Sequence, residues 1–450
     1  MMSFVVRPRE EPPLDFWPSL GFRGNPYVVK PLPGSEDGRE LLVGRDAELR
    51  SLLRRIRESD MHVVLEGPNG VGKTSLVSVA TWVASEDFKR GSSQQLFLPL
   101  AEPLQIKEDA EEFVSSCYFG IARAFLDHEK ILKNSGRQVP RTKDLNLWLN
   151  APVLRTRGGG VNSPFGGFTG SAGISANTSQ GYTQAGFRAA VKKWLNDAFP
   201  DGSGGFVGLI DNLELIDVSS DAQRVMEEIR DPVLQLPGTR WVICGARGIA
   251  RSVAATPRMN GVLSDPIDIS PVPDSSIPHL IEARLRHYSV GDSSSAPVSA
   301  KSFEHIYEVS HQNLRDSLSY SQDFSFEMDP EFFLNGTPDD IEVAARAWLA
   351  ELSMKYERDI RLQPRMWRLI DDLARIGGAC SPGDHQDLGF NDRTHMRKNV
   401  VDLERFGLVT SSRDEADQRR RSIEMTSKGW LVHYSRSQGL INPTLPGFSC

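Results

Sequence analysis

The stretch Met61–Ser75, which reads MHVVLEGPNGVGKTS, decides the fold. A short apolar run from His62 to Leu65 predicts a buried strand, and the residues from Ser75 to Val83 predict a helix. Between them the chain matches the pattern G-x-x-x-x-G-K-[ST] at every fixed position. A strand, a glycine-rich loop and a helix in this order predict a loop whose backbone N–H groups surround a phosphate, with the positive end of the helix dipole behind them.

The residue types of this loop indicate a nucleotide with its magnesium ion. We expect Lys73 to reach the β- and γ-phosphates of ATP and the Thr74 hydroxyl to bind Mg²⁺. The alternative is a chance glycine-rich turn, but the strand–loop–helix context favours the phosphate loop. The expected nucleotide contacts are Gly67, Pro68, Asn69, Gly70, Val71, Gly72, Lys73, Thr74 and Ser75.

Composition bounds the function classes. The 450 residues carry a net charge of −7, which argues against a protein that coats nucleic acid and leaves room for one local basic surface. The 4 cysteines are dispersed without a C-x-x-C pair, so we expect reduced thiols and neither a zinc site nor a disulfide framework. No apolar run approaches the roughly 18–20 residues of a membrane span, and the first residues do not form a signal peptide. We therefore expect a soluble, cytoplasmic protein without membrane partners.

A second apolar run predicts a partner strand for the phosphate loop. The chain from Gly205 to Ile210 is apolar and is followed by Asp211. A buried strand that ends in a carboxylate can present it to Mg²⁺ at the phosphate edge of a parallel sheet. The alternative is that Asp211 only caps the end of its strand.

The start of the preceding helix carries a family resemblance. Gly44-Arg45-Asp46-x-Glu48-Leu49, one helix before the phosphate loop, resembles the AAA+ and STAND ATPases, in particular the branch near the replication initiators. The resemblance implies that Val43, Gly44 and Arg45 border the adenine. It also implies ATP hydrolysis to ADP and phosphate, at a rate put in doubt by Asn212, which stands where AAA+ proteins have a glutamate. Glu214 is then the nearby carboxylate that could polarise water.

Two arginines occupy positions that resemble nucleotide sensors of this family. Arg247 follows the predicted strand that begins at Arg240, where STAND proteins commonly place an arginine. It could contact the γ-phosphate or pair with a surface acid. Arg315 lies in an x-Asn-x-Arg opening of a predicted lid helix, which resembles sensor 2. It could contact the nucleotide or be solvated.

The C-terminal part resembles a winged helix-turn-helix of the multiple-antibiotic-resistance-regulator kind. The resemblance rests on V-x-x-L-E-x-x-G-L-V from Val400 to Val409 and on Thr426–Gly429. Helical spacing predicts that Met396, Val400, Leu403 and Gly407 face inward. The predicted contacts to duplex DNA are Asn391, Thr394, His395, Arg397, Lys398, Arg419, Arg420 and Arg421. Residues 365–436 hold 13 Lys/Arg and 11 Asp/Glu, so docking of a protein partner stays open as the alternative.

Together these features predict an α/β chain: a P-loop NTPase core in which helices flank a parallel sheet, a small helical lid and a C-terminal winged helix. The predicted domains are an arm at 1–40, the core at 41–270 with an insertion at 155–184, the lid at 271–340, a linker helix with the winged helix at 341–436, and a tail at 437–450. The arm either lies on the next domain, anchored by its aromatic residues, or is a partly disordered tail. The leading hypothesis is a slowly hydrolysing switch ATPase that binds duplex DNA. The alternative is a signalling or scaffold ATPase that self-assembles or docks protein partners.

Overall fold

The computed structural model describes residues 15–142, 145, 149, 184–200, 202–213, 219–246, 248–291, 294–413 and 421–441. Its helices are α1 Phe16–Ser19, α2 Glu36–Leu41, α3 Asp46–Glu58, α4 Lys73–Lys89, α5 Ala110–Asp127, α6 Glu129–Asn134, α7 Gln184–Ala198, α8 Ser219–Ile229, α9 Ile249–Ala254, α10 Ile277–Tyr288, α11 Ala300–Val309, α12 Leu314–Glu327, α13 Pro330–Asn335, α14 Pro338–Asp359, α15 Pro364–Arg375, α16 Arg393–Arg405 and α17 Ser427–Ile441. Its strands are β1 Val63–Glu66, β2 Leu96–Pro99, β3 Leu104–Gln105, β4 Gly204–Asp211, β5 Thr239–Gly245, β6 Ile267–Asp268, β7 Ala379–Cys380, β8 Val409–Arg413 and β9 Arg421–Met425.

The chain forms two compact units. The sheet unit comprises Pro31–Arg39 and Arg45–Ser270, and the helical unit comprises Met1–Lys30, Glu40–Gly44 and Pro271–Cys450. The predicted domain boundaries remain predictions. The predicted insertion at 155–184 lies outside the described residues except for Gln184, the first residue of α7.

The sheet unit is built on one parallel sheet. Its strands lie in the order β2-β4-β5-β1-β6, and the short β3 also pairs with β4. Glu66 at the end of β1 lies opposite Gly245 of β5, and Ile210 of β4 lies opposite Ile243 of β5. Because all these pairings are parallel, the ends of β1 and β4 reach the same edge of the sheet, separated by one strand.

Burial on both faces explains why these strands are continuous apolar runs. All four residues of β1 are buried. In β4, Gly208 allows the ring of Trp241 to lie directly against the backbone, since a Cβ at this position would stand 2.2 Å from that ring. Trp241 is 1% exposed, and its indole N–H donates to the Val233 carbonyl at 3.2 Å. The central strands are therefore fixed by close packing.

The helical unit has a core that includes part of the predicted arm. Leu20, Phe22 and Tyr27 are buried with the apolar faces of α10, α11, α12 and α14. The Tyr27 hydroxyl donates to the Val298 carbonyl at 2.7 Å and accepts from the Val298 N–H at 2.9 Å. The buried Arg284 guanidinium donates to the carbonyls of Pro26 and Val28. Residues 15–30 are thus an ordered part of this unit.

The C-terminal part of the helical unit has three helical segments and a three-stranded antiparallel sheet of order β7-β9-β8. Its core combines α15, α16 and α17 with the strands, through residues such as Leu369, Met396, Leu403 and Val432. This is the arrangement of a winged helix, and the predicted fold class is confirmed.

Two local predictions in this region were wrong. The inward face of α16 contains Met396, Val400 and Leu403, but Gly407 lies beyond the helix end, exposed, at φ +71°. The left-handed turn that glycine permits there ends the helix and redirects the chain into β8. The sequence also predicts a short helix from Ser381 to Leu388, ahead of α16, but the structure has only a short 3-10 turn there, Pro382–His385. Among the described residues, no helix is long and apolar enough to cross a membrane.

Candidate functional site

The phosphate loop joins the buried strand β1 to the 17-residue helix α4. Gly70 and Gly72 adopt left-handed backbone angles, φ +84° and +96°, which L-residues with a Cβ rarely adopt. A Cβ on Gly67 would stand 2.3 Å from the Ile269 carbonyl oxygen. Gly67, Gly70 and Gly72 are therefore all required by the loop's geometry. The loop presents the N-terminus of a long helix, which is a favourable site for an anion.

Lys73 lies against the loop it follows. Its Nζ donates to the Gly67 carbonyl at 2.7 Å and to the Pro68 carbonyl at 3.1 Å. The residue is only 7% exposed, so the ammonium lies at the loop and not in bulk solvent. A phosphate bound in the loop would meet this charge at short range.

Thr74 and Asp211 meet at the edge where β1 and β4 end. The Thr74 hydroxyl donates to Asp211 Oδ2 at 2.8 Å, and Asp211 Oδ1 accepts from the Asn212 N–H at 2.9 Å. Asp211 is 8% exposed. A hydroxyl and a carboxylate held together beside a phosphate loop are the hard oxygen donors that Mg²⁺ prefers, so this pair fits a magnesium ion.

The other predicted contacts of the core are placed as follows. Asn212 has φ +58°, so it turns the chain in a left-handed conformation directly after β4. The Ser75 hydroxyl accepts from the Leu32 N–H at 3.0 Å. Arg45 donates to the Val71 carbonyl at 3.0 Å and to Glu48 at 2.9 Å. Glu214 and Arg247 lie outside the described residues.

Three predicted nucleotide contacts belong to the helical unit. Val43 and Gly44 lie just before the sheet unit resumes at Arg45, and Gly44 has φ +74°. Arg315 is the second residue of α12, which is capped by the Asn313 side chain accepting from the Asp316 N–H at 3.2 Å. Their predicted roles at a nucleotide remain predictions.

Sequence reasoning assigned no role to Glu66, the last residue of β1. Its carboxylate is 1% exposed and accepts hydrogen bonds from the Gly248 N–H and from Arg251 Nε, the latter at 3.1 Å. This carboxylate therefore holds the start of α9 against the end of β1. The available signal was an acid at the end of an otherwise apolar strand, but its partners are more than 180 residues away in sequence.

The second candidate surface is the N-terminal half of α16. Asp392 caps the helix by accepting from the His395 N–H at 2.8 Å. The exposed side chains of this half and the residue before its cap are Asn391, Arg393, Thr394, His395, Arg397 and Lys398. Farther along, Asp402 is paired with Arg405 at 3.7 Å. Arg419 and Arg420 lie outside the described residues, and only the backbone of Arg421 is described.

The turn before α16 is braced. The Arg365 guanidinium lies 4.0 Å from the centre of the Phe390 ring and donates to the Leu388 carbonyl at 2.7 Å. The His395 and Phe390 rings meet in a T-shaped contact, with ring centres 5.7 Å apart. The exposed end of α16 is therefore presented from a fixed turn.

Within the helical unit, α17 packs against both the lid helices and the winged helix. Leu431 belongs to the core with α10, α11, α12 and α14, which we call the lid core. Its neighbour Val432 belongs to the core with α15, α16 and the C-terminal strands, the winged-helix core. The Ser353 hydroxyl donates to the Leu431 carbonyl, and the ring of His311 stacks on Trp430 with centres 4.2 Å apart. Burial lowers the pKa of His311, which favours its neutral form. These contacts join the lid to the winged helix.

The stacked histidine lies in a strained turn. His311 and Gln312 have φ +53° and +59°, and they directly precede the cap of α12, the helix that carries Arg315. Left-handed residues other than glycine persist where surrounding contacts fix them. Here the stack on Trp430 and the bond from Gln312 to Asp274, at 2.9 Å, supply those contacts.

Comparison with known proteins gave structural similarity alone. No family model matches the sequence, and no curated protein matches it. Similar solved structures include the Aeropyrum pernix ORC1 protein in complex with DNA, at 14% identity, covering 93% of this chain and 97% of that chain, with a TM-score of 0.43. They also include Drosophila ORC bound to DNA, at 13% identity, 97% and 96% coverage and a TM-score of 0.38. A third is the replication initiator DnaA bound to AMPPCP and single-stranded DNA, at 12% identity, 80% and 88% coverage and a TM-score of 0.32.

These neighbours are replication initiators, the class that the sequence resembles. Because the identities are 12–14% and these TM-scores lie below 0.5, the similarity does not extend to what those proteins bind. The function of this chain rests on its own residues.

Proposed function

We propose that this protein is a switch ATPase that binds ATP with Mg²⁺ in the phosphate loop and uses the bound nucleotide to control duplex DNA binding by α16. The observation that carries the proposal is the meeting of Lys73, Thr74 and Asp211 at one edge of a parallel sheet, with Thr74 and Asp211 joined at 2.8 Å. Ligands of open α/β sheets bind at this edge.

The sheet unit supplies the elements that bind a polyphosphate. The loop amides and the N-terminus of α4 favour an anion, and the Lys73 ammonium adds a full charge. Thr74 and Asp211 would hold Mg²⁺, which when bound neutralises phosphate charge. On nucleotide binding, the Lys73 ammonium would exchange the Gly67 and Pro68 carbonyls for phosphate oxygens, and this charge-assisted bond favours binding.

We propose that hydrolysis is slow. Asn212 is an amide and cannot accept a proton from water as a carboxylate does. Its left-handed backbone is a further departure from an extended strand end. The bound state would then last long enough for the protein to act as a switch between ATP and ADP forms.

Duplex DNA is the partner that the exposed side of α16 fits best. Short polar groups and basic groups occur together at Asn391, Thr394, His395, Arg397 and Lys398, as a helix that enters the major groove requires. Two acids of this helix region are engaged: Asp392 caps the helix, and Asp402 is paired with Arg405 in the other half. The proposed site is therefore locally basic although the domain is nearly neutral.

The participation of α17 in both cores supports a coupling between the lid and the DNA-binding helix. Since Leu431 and Val432 anchor the same helix in the two cores, a movement of the lid would carry the winged helix with it. A nucleotide that binds one arrangement of the lid more tightly than another would then shift the position of α16.

Isothermal titration of ATP in the presence of Mg²⁺ tests the nucleotide site. The matched variants are Lys73→Ala and Lys107→Ala, the latter removing an exposed lysine that is paired with Glu112 at 3.0 Å. We expect Lys73→Ala to weaken ATP binding by about 10- to 100-fold, the range for losing a charged hydrogen bond, and Lys107→Ala to leave it unchanged. Equal affinity of the unmodified protein and Lys73→Ala would overturn the proposal.

A further inference from the structure

Arg45, which the family resemblance places beside the adenine, is a buried cation. The residue is 4% exposed, at the position that caps α3. One guanidinium nitrogen pairs with Glu48 at 2.9 Å, and the other donates to the Val71 carbonyl at 3.0 Å. A side chain so buried, with both terminal nitrogens engaged, has almost no surface to offer a nucleobase.

The partner of Arg45 is Val71, a residue of the phosphate loop. Val71 lies between Gly70 and Gly72, both of which have left-handed backbone angles. Glycines make many loop conformations accessible, so the conformation that binds phosphate has an entropic cost unless other contacts fix it. The bond from Arg45 is such a contact, since it fixes the Val71 carbonyl from the protein interior.

Because a peptide is planar, the bond to the Val71 carbonyl also orients the N–H of the next residue, Gly72. The carbonyl of Val71 and the N–H of Gly72 belong to one planar trans peptide, in which they point in opposite directions. With the carbonyl directed at the buried guanidinium, the Gly72 N–H is directed away from it. The surroundings of Gly72 are open, since a Cβ on this residue would meet nothing within 4 Å.

We infer that Arg45 is a positioning residue for phosphate: it pre-sets the Val71–Gly72 peptide so that the Gly72 N–H faces the nucleotide's phosphates, and it does not contact the base. The inference rests on the proposed nucleotide site and deepens it. Glu48 orients the guanidinium by a bond made in the first turn of the same helix. Pre-organisation of this kind raises affinity by lowering the cost of ordering the loop.

If Arg45 positions the loop, the affinity lost in an Arg45 variant should depend on the ligand's phosphates and not on its base. Arg45→Ala should weaken binding of ATP, GTP and inorganic tripolyphosphate by a similar factor, about 5- to 30-fold, because the loop peptide that Arg45 holds in the free protein would have to be ordered on binding. The ratio of ATP to GTP affinity should stay unchanged. A residue that contacts the base would instead alter this ratio and leave tripolyphosphate binding intact.

The test is competition of ATP, GTP and tripolyphosphate against a fluorescent ATP analogue on the full chain. Arg45→Lys keeps the charge but lacks the planar fork that joins Glu48 and Val71, so it should also weaken tripolyphosphate, and it decides the matter if Arg45→Ala fails to fold. Glu48→Gln, which retains the bond to Val71, should cost less than Arg45→Lys. Unfolding midpoints of each variant separate a loss of fold from a loss of binding.

One result would refute the positioning role of Arg45, and a different result would refute the nucleotide site itself. If tripolyphosphate binds Arg45→Lys as it binds the unmodified protein, while the ATP-to-GTP ratio changes, the positioning role is wrong and the base contact stands. If the unmodified protein binds neither ATP nor tripolyphosphate, the proposed nucleotide site itself is wrong.

Discussion

Replacing Arg397 and Lys398 together by alanine should remove two phosphate contacts from the DNA complex. Both side chains are exposed on the N-terminal half of α16, one turn beyond the Asp392 cap. Each phosphate neutralised by a cation contributes about −0.9 to the slope of log affinity against log salt concentration on duplex DNA. The double variant should therefore have a slope that is shallower by about 2.

The same relation gives the change in affinity between two salt concentrations. A slope of −0.9 per contact means that raising salt from 50 to 200 mM weakens each contact by about 3.5-fold, and two contacts by about 12-fold. The affinity ratio of the unmodified protein to the double variant should therefore shrink by about 12-fold over this range. Fluorescence anisotropy of a labelled random duplex, titrated at four salt concentrations, measures the slope directly.

The matched control is Arg375→Ala. Arg375 is 70% exposed and paired with Asp372 at 2.6 Å at the C-terminal end of α15, so its removal changes the net charge by one without touching the α16 surface. Its slope should equal that of the unmodified protein. An unchanged slope in the double variant, or an equal change in Arg375→Ala, would refute the assignment of this surface.

Three further predictions concern stability and coupling. Burial lowers the pKa of His62 to about 4 from 6.5, and its Nδ1 accepts from the backbone N–H of Trp241 at 3.2 Å. Between about pH 6.5 and pH 4 the unfolded chain therefore binds a proton that the folded chain does not, so the free energy of unfolding should fall by about 2 kcal/mol between pH 7 and pH 5, relative to the pH dependence of His62→Gln. Urea titrations measure this difference, and parallel curves for the two proteins would contradict it. Gly208→Ala places a Cβ 2.2 Å from the Trp241 ring and should lower the free energy of unfolding by about 1–3 kcal/mol; an unchanged urea midpoint would show that the sheet adapts. Trp430→Ala removes the stack on His311 and should reduce the effect of ATP on DNA affinity while preserving nucleotide affinity. Calorimetry measures the nucleotide affinity and anisotropy the DNA affinity of the same preparation. An undiminished ATP effect would exclude this contact from the coupling.

The sequence predicted best what local pattern determines. The strand, the loop and the helix around Gly67–Thr74 follow from an apolar run, glycine spacing and helical periodicity, all within 25 residues. The alternation of inward and exposed residues along α16 followed in the same way from helical spacing, up to the residue where the helix ends.

Contacts between distant parts of the chain were not predictable from such patterns. The Tyr27 hydroxyl bonds to Val298, 271 positions away, so the sequence of the arm alone does not indicate its place in the lid core. Glu66 receives its bonds from α9, and Arg45 is bonded to a loop residue 26 positions later. In each case a polar side chain finds its partner only once the tertiary fold has brought distant backbone groups together.

The central claim is that the nucleotide in the phosphate loop sets the affinity of α16 for duplex DNA. The most direct test is the anisotropy of one labelled duplex at fixed salt with no nucleotide, with ADP and with ATP, for the unmodified protein and for Lys73→Ala. The account predicts that ATP and ADP change DNA affinity differently, by about 5-fold or more, as expected for coupling of 1–3 kcal/mol, and that Lys73→Ala abolishes the difference. Equal DNA affinity in all three nucleotide states, or a difference that survives Lys73→Ala, would contradict it.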